Sequence, residues 1–189
     1  MSLSLTGRPL DNPNPKVFAI SESTFRQNRE QSLWVKDRMH SESEEDDESS
    51  EEEASEIDAQ EVFDLIRSIS DPEFPLSSLE DLRVVTLNRV FVNGPNVTVE
   101  IRPTQPHCSS AALIGLAVNV RLLRALPPRF RVRFTVMEGS YTSPDALCKQ
   151  LNDKERVAAA CESPALMSTL DTMIARAGTR GNTQQESLV

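Results

Sequence analysis

Histidine and cysteine are scarce in this chain, whose 189 residues include two histidines and three cysteines. Three widely spaced cysteines do not form the disulfide framework of a small secreted domain, so we expect a reducing, intracellular environment. A structural zinc site needs about four ligands, and the cysteines form no CxxC pair, so a complete metal site within one subunit is not expected. Because His107 is the single histidine of the predicted domain, a thiol-dependent enzyme with a histidine base is also disfavoured.

The chain also lacks a long hydrophobic run and a broad basic pattern. Its longest nearly uncharged apolar run, residues 111–120, is too short to span a bilayer, and MSLSLTGRPLDNPNP at the N-terminus lacks the apolar stretch of a signal peptide. The net charge of −9 is concentrated in SESEEDDESSEEEASEID (41–58), and the remainder is close to balanced. We therefore expect no membrane partner and no direct nucleic-acid partner.

Residues 1–54 are predicted to be a disordered, acidic, serine-rich tail, because they contain few large apolar side chains. Serines among acids suit phosphorylation, which would add negative charge. Residues 25–39 (FRQNREQSLWVKDRM) are the exception, since they include the only tryptophan, Trp34, and could order on a partner or cover the domain's own core. A second flexible tail is predicted at 178–189.

One folded domain is predicted over residues 55–177. Its first helix has a capping-box pattern that opens at Ser55 and an apolar face that runs from Ile57 to Ile69. Apolar and polar residues alternate in VTVEIRP and in FRVRFTVM, which indicates strands of a sheet with one buried face and one solvated face. A further strand is predicted in LRVVTLNRVFV, followed by a turn at NGPN.

The other segments of the domain are predicted to be helical. An apolar helix follows VTVEIRP, and the pairs Ser143–Pro144 and Ser163–Pro164 mark the starts of C-terminal helices. The order helix, two strands, helix, strand, helices indicates the α+β class. We expect a small mixed or antiparallel sheet of three or slightly more strands, with helices on one face and a helical C-terminal end.

The segment TQPHC (104–108) is the candidate functional loop, because Pro103 and Pro106 end the strand before it. A helix is predicted to begin at Cys108 or Ser109, where the positive end of the helix dipole favours a thiolate. Cys108 is then a nucleophile, a metal ligand or a small packed residue, and the residues alone leave these three alternatives open. His107 need not form a pair with Cys108, because neighbours in an extended chain point in opposite directions.

Further acidic and thiol side chains are secondary candidates. Asp71 and Glu73, in the segment DPEFP, could act as paired carboxylates or as solvated acids of a turn. Cys148 and Cys161 lie on predicted helices and are expected to be small packed residues, with Cys148 partly exposed beside Lys149.

Three long segments closely resemble the small subunit of the eukaryotic cytosolic iron–sulfur protein assembly targeting complex, the MIP-eighteen-like family. They are LIRSISDPEFPLSSLEDLRVV, PTQPHCSSAALIGLAVNVRLLRALPPRF and KQLNDKERVAAACE. The resemblance, from about Ile57 to Leu170, implies a non-enzymatic maturation protein that helps transfer [4Fe–4S] clusters to cytosolic and nuclear apoproteins. The implied partners are a WD40 β-propeller subunit, a HEAT-repeat scaffold subunit and the apoproteins, and chromosome segregation is an implied dependent process.

The resemblance also implies roles for particular residues. The cysteine of the PHCS motif is the reactive residue of the family, which here assigns cluster handling to Cys108 together with His107. The candidate supporting residues are Thr104, Asp71 and Glu73. A transient [4Fe–4S] cluster is the only cofactor implied, with Cys108 as a ligand and Cys148 as an additional candidate. Since one thiol is too few for such a cluster, a homodimer or thiols from partners are implied.

The chain departs from the family pattern where relatives commonly have two histidines. Phe74 replaces the histidine of Asp-Pro-Glu-His-Pro, and Tyr141 replaces that of Gly-Thr-His. Cys148 stands where relatives usually have asparagine. A histidine-rich metal site is therefore not expected, and ligation would depend on Cys108 and supplied thiols. The alternative from another class is a pure scaffold, in which Cys108 is structural and all cluster chemistry belongs to partners.

Overall fold

The computed structural model describes residues 12, 14–20, 57–175 and 177. The predicted docking segment 25–39, the acidic run 41–56 and the tail 178–189 lie outside these residues. In chain order the elements are α1 (Ala59–Ile66), a 3-10 helix (Leu87–Arg89), β1 (Val90–Asn93), β2 (Asn96–Ile101), α2 (Ala111–Ala125), β3 (Arg131–Val136), α3 (Pro144–Asn152), α4 (Lys154–Cys161) and α5 (Pro164–Ile174). The predicted α+β class and the predicted order of elements are confirmed.

The sheet is mixed, with the strand order β1–β2–β3. A turn with Gly94 at φ +54° joins β1 to β2, which pair antiparallel. β2 and β3 are parallel, and α2 supplies the crossover that parallel strands require. Because the register pairs Ile101 with Val136, the carboxyl ends of β2 and β3 lie at the same edge of the sheet.

The predicted alternation of buried and solvated residues is confirmed. The inner face of the sheet carries Val97, Val99 and Phe134, which are buried in the core beneath α1 and α2. The outer face carries Arg131 and Arg133, which are exposed. Because helices cover only one face of the sheet, buried and exposed residues alternate along each strand.

Two local predictions are wrong. The capping box of α1 is formed by Asp58 and not by Ser55, because Asp58 accepts a hydrogen bond from the Glu61 N–H at 2.7 Å and Glu61 accepts one from the Asp58 N–H at 3.2 Å. The strand predicted in LRVVTLNRVFV is short and begins at Val90. Val84 and Val85 are buried in a turn instead, because both of their N–H groups donate to the carbonyl of Leu79.

Part of the N-terminal segment lies against the domain. The N–H of Phe18 donates to the carbonyl of Asp81 at 2.8 Å, and the Arg83 guanidinium lies 4.0 Å from the centre of the Phe18 ring. Arg83 adopts a left-handed conformation at φ +53°. The sequence predicts that residues 14–20 belong to the disordered tail. In the structure, Phe18 of this stretch contacts the turn that contains Asp81 and Arg83.

A buried ion pair closes the loop that connects α1 to the sheet. Arg67 contacts Glu80 through two bonds, Nε to Oε2 at 2.7 Å and Nη2 to Oε1 at 3.0 Å, and its Nη1 contacts Asp64 Oδ1 at 2.8 Å. The side chains of Arg67 and Glu80 are 9% and 8% exposed. This pair holds together the two ends of the loop that carries Asp71 and Glu73.

Side chains of α3 cover the outer edge of β3. The Asn152 amide accepts a hydrogen bond from the Phe134 N–H at 2.8 Å and donates one to the Phe134 carbonyl at 2.9 Å, as a neighbouring strand would. One helical turn earlier, the sulfur of Cys148 accepts a hydrogen bond from the Val136 N–H. The helix is thereby fixed against the strand, and the loop after β3 is fixed with it.

Candidate functional site

Three loops meet at the edge where β2 and β3 end, and we call them the loop cluster: residues 71–74, 102–110 and 137–143. Thr142 links the second and third loops, because its N–H and its hydroxyl both donate to the Pro106 carbonyl, at 2.9 and 2.7 Å. Ser110 links the first and second loops by donating to Glu73 Oε1 at 2.9 Å. In open α/β sheets, ligands bind beyond the carboxyl ends of parallel strands, and the loop cluster occupies the corresponding edge of the one parallel pair here.

Cys108 lies in the middle of the loop cluster and is buried, with 4% of its surface exposed. The predicted helix start at Cys108 or Ser109 is wrong, since α2 begins at Ala111 with Ser110 as its N-cap residue. The reason is a turn that uses the backbone of Cys108, whose N–H donates to Gln105 and whose carbonyl accepts from Ala111. Cys108 therefore precedes the helix, and the helix-dipole argument applies to it less strongly than the sequence suggested.

His107 is exposed to solvent, whereas its neighbour Cys108 is buried. Its Nδ1 lies 3.0 Å from the Thr142 hydroxyl oxygen. The single hydroxyl hydrogen of Thr142 is already donated to the Pro106 carbonyl, so Nδ1 must carry a hydrogen and donate it to Thr142. In the neutral ring, Nε2 then has an unshared electron pair that faces solvent.

Tyr141 and Thr142 are contributors that the sequence reasoning did not select. The Tyr141 hydroxyl donates to the carbonyl of Cys108 at 3.4 Å, and Thr142 holds both Pro106 and His107. The parallel pairing of β2 and β3 brings these residues to Cys108. That pairing cannot be predicted from the alternation of apolar and polar residues or from the turn residues. Thr104 is half-buried at the start of the same loop.

Asp71 and Glu73 have separate structural contacts. Asp71 Oδ1 accepts hydrogen bonds from the N–H groups of Glu73, at 2.8 Å, and Phe74, at 3.0 Å, and it fixes the turn. Burial raises the pKa of the Asp71 carboxyl, and the two backbone hydrogen bonds oppose that rise. Glu73 accepts from Ser110 beside the N-terminus of α2, where the helix dipole favours a carboxylate. The turn part of the prediction agrees with these contacts, but Asp71 is buried and not solvated.

The wild type is expected to lose stability as pH rises, because Asp71 ionises in a buried position. Asp71→Asn should not show this loss. Since burial raises the pKa of Asp71, the folded state keeps the proton where the unfolded chain has lost it. The stabilisation of the folded state by the protonated Asp71 carboxyl is present in full below the unfolded pKa of about 3.9. It is lost as pH rises through the folded pKa. Asparagine retains the accepting oxygen and does not ionise.

Urea unfolding of both proteins at several values between about pH 4 and about pH 7 measures this effect. The free energy of unfolding of Asp71→Asn, minus that of the wild type, should increase with pH. A difference that is independent of pH would contradict the assignment.

The other two cysteines lie on helices outside the loop cluster. Cys148 is half-buried, and burial raises the pKa of its thiol, opposed by the Val136 N–H and assisted by the nearby Asp145 carboxylate. A raised pKa favours the neutral thiol, which is a weaker metal ligand than the thiolate. Cys161 is half-buried against the core at the end of α4. Over the described residues, no three His, Cys, Asp or Glu side chains group as a metal site.

The folded domain matches a known protein family. Residues 59–136, from α1 to the end of β3, match the family described as "Iron-sulfur cluster assembly protein". This span includes the first two loops of the loop cluster. The helices described here include none with the length and apolar character needed to cross a membrane.

Individual relatives define the family more narrowly. A MIP18 family protein of Schizosaccharomyces pombe is 43% identical over 173 residues, which cover 88% of this chain and 96% of the relative. Protein AE7 of Arabidopsis thaliana is 55% identical over 117 residues, 61% of this chain and 74% of the relative. The mouse protein named "Cytosolic iron-sulfur assembly component 2B" is 51% identical over 126 residues, 66% of this chain and 77% of the relative. The chain belongs to the MIP18 family of iron–sulfur cluster assembly proteins.

Proposed function

We propose that this chain acts in cytosolic iron–sulfur protein assembly, where it helps transfer [4Fe–4S] clusters to cytosolic and nuclear apoproteins. Cys108 is the thiol that contacts the cluster during transfer. The observation that carries this proposal is the position of Cys108 in the loop cluster, at the carboxyl edge of β2 and β3. The relatives named as cytosolic assembly components support the same pathway and compartment.

The burial of Cys108 suits a temporary contact with cargo. Iron–sulfur clusters are held by four ligands, most often thiolates, and Cys108 is the only cysteine of the loop cluster. The remaining ligands would come from a partner or from a second copy of the chain. When the loops separate, the Cys108 sulfur becomes accessible, and His107 Nε2 on the same loop offers a nitrogen ligand. When they close, the hydrogen bonds of Thr142 favour release of the cluster.

The chain works as an adaptor and not as an enzyme in this proposal. A WD40 β-propeller subunit and a HEAT-repeat scaffold subunit are its proposed partners, and apo iron–sulfur proteins are its clients. Defects would reach nuclear processes such as chromosome segregation through clients that lack their clusters. Cys148 is proposed to fix α3 to the β3 edge, where an asparagine could form the same bond with the Val136 N–H.

One observation favours a second candidate, a scaffold in which Cys108 is structural. The side chain is part of the hydrophobic core, and a buried cysteine can serve as a small apolar residue. In that case a serine at this position would affect stability only, and clusters would pass entirely through partners.

Anaerobic iron–sulfur reconstitution distinguishes the two candidates. The wild type is expected to develop visible thiolate-to-iron charge-transfer absorbance, and Cys108→Ser is expected to lose it. Cys148→Ser is the matched control and should retain the absorbance. If the absorbance is absent from the wild type, while the complex with partners still assembles, the cluster-contact role of Cys108 is rejected in favour of the scaffold.

A further inference from the structure

The outer face of the sheet carries two arginines, Arg131 and Arg133, and one carboxylate, Glu100. Thr98 of β2 lies in register with Phe91 on one side and Arg133 on the other, and Asn96 lies in register with Arg131. Both arginines are exposed, and neither forms an ion pair with any residue in the described part of the chain. Phe91 is 50% exposed on the same face.

Arg89, which directly precedes β1, contains a hydrogen-bond donor that lacks an acceptor within the described residues. Arg89 contacts Glu100 through Nε at 3.5 Å, so these two charges largely cancel. The Nη1 atom of Arg89 is buried and has no hydrogen-bond partner within the described residues. This buried nitrogen is closed to an external ligand, so a ligand on this face would bind the two exposed arginines, whose guanidinium groups favour carboxylate oxygens. The face has an excess of two positive charges, from Arg131 and Arg133.

The chain contains a segment with the complementary charge. Residues 42–53, which we call the acidic segment, contain nine carboxylates and lie outside the described residues. Both flanking stretches are fixed on the domain, residues 14–20 through Phe18 and the other side at Ile57, next to α1. A residue nine positions before Ile57 can reach about 30 Å, whereas a domain of this size has a radius of gyration of about 14 Å. The acidic segment can therefore reach the outer face.

We infer that the acidic segment binds the outer face of the sheet, with its carboxylates on Arg131 and Arg133. A tether at each end keeps the local concentration of the segment at about the millimolar level, so weak exposed ion pairs suffice for binding. Nucleic acid suits this face less well, because the nine carboxylates of the acidic segment repel a competing polyanion. This inference does not depend on the role of Cys108.

Backbone NMR of the full chain tests the inference. In the test variant, every Glu and Asp of residues 42–53 is replaced by Gln or Asn, which keeps length and removes charge. We expect the amide signals of Phe91, Thr98 and Arg133 to shift between wild type and variant, and those of α4 to stay in place. Added salt should move the wild-type signals toward those of the variant, because exposed pairs are screened.

A synthetic peptide of residues 41–55, added to the neutralised variant, should restore the wild-type signals. In that background Arg131→Gln/Arg133→Gln should weaken peptide binding about fivefold, as expected for two exposed pairs. The control Lys154→Gln/Arg156→Gln removes two positive charges from α4 and should leave binding unchanged. Three results would overturn the inference: no shift on the outer face upon neutralisation, equal weakening by the control, or tighter binding of a uridine oligonucleotide than of the peptide. If the peptide binds but neutralisation moves nothing, the face serves an acidic segment of another protein.

Discussion

Arg67→Met is expected to lower the free energy of unfolding by about 3–5 kcal/mol, the usual cost of removing one partner from a buried ion pair. The substitution leaves the Glu80 carboxylate buried at 8% exposure without the two bonds that Arg67 provides. It also removes the contact with Asp64 and the stacking of the guanidinium 5.1 Å from the centre of the Phe63 ring. Urea denaturation followed by circular dichroism measures the loss.

Two further variants make this prediction specific. Arg67→Met/Glu80→Leu should recover much of the stability, because it removes the buried Glu80 charge together with its partner, while Asp64 keeps its hydrogen bond from Gln60. Arg124→Met breaks the 2.8 Å pair with Asp171, whose side chains are 48% and 54% exposed, and should cost less than about 1 kcal/mol. If the double variant were no more stable than Arg67→Met, the buried charge would not be the cause of the loss.

Thr142→Ala is expected to accelerate alkylation of Cys108 by iodoacetamide about tenfold. The substitution removes two hydrogen bonds between the loops, from the Thr142 hydroxyl to Pro106 and from His107 Nδ1 to the hydroxyl oxygen. Bonds of this kind contribute about 0.5–1.5 kcal/mol each, and about 1.4 kcal/mol changes an equilibrium tenfold. Because Cys108 is buried, its reaction depends on the population of the open loop.

The experiment uses a Cys148→Ala/Cys161→Ala background, so that Cys108 is the only thiol. His107→Ala removes one of the two bonds and should give a smaller acceleration than Thr142→Ala. Thr172→Ala, which removes the side-chain bond to the Ser168 carbonyl within α5, is the control and should leave the rate unchanged. An unchanged rate in Thr142→Ala would mean that these bonds do not keep Cys108 covered.

Local pattern predicted the elements of this fold better than their pairing. Alternation in β2 and β3 identified the inner and outer residues, because the burial of one face imposes a period of two. The parallel pairing of those strands was not predicted, since it depends on how α2 crosses the sheet. For the same reason Cys108 and His107 could be selected from the sequence, whereas their contacts with Tyr141 and Thr142 could not.

The errors at helix starts have a related cause. Ser55 and Asp58 each precede a suitable acid by three residues, and only the geometry of the first turn distinguishes them. Near Cys108, the sequence predicts a helix start directly after the loop TQPHC, but a turn from Gln105 to Ala111 uses the backbone first. The burial of Cys108 then depends on a loop that is more than thirty residues away in the chain.

The contacts of α3 with β3 also affect how copies of the chain behave at high concentration. An open strand edge offers unpaired N–H and carbonyl groups on which another molecule can add a strand, which is a common route to aggregation. Here Asn152 occupies the N–H and carbonyl of Phe134, and Cys148 occupies the N–H of Val136. Another copy therefore cannot extend the sheet along this part of β3, and self-association must use a different surface.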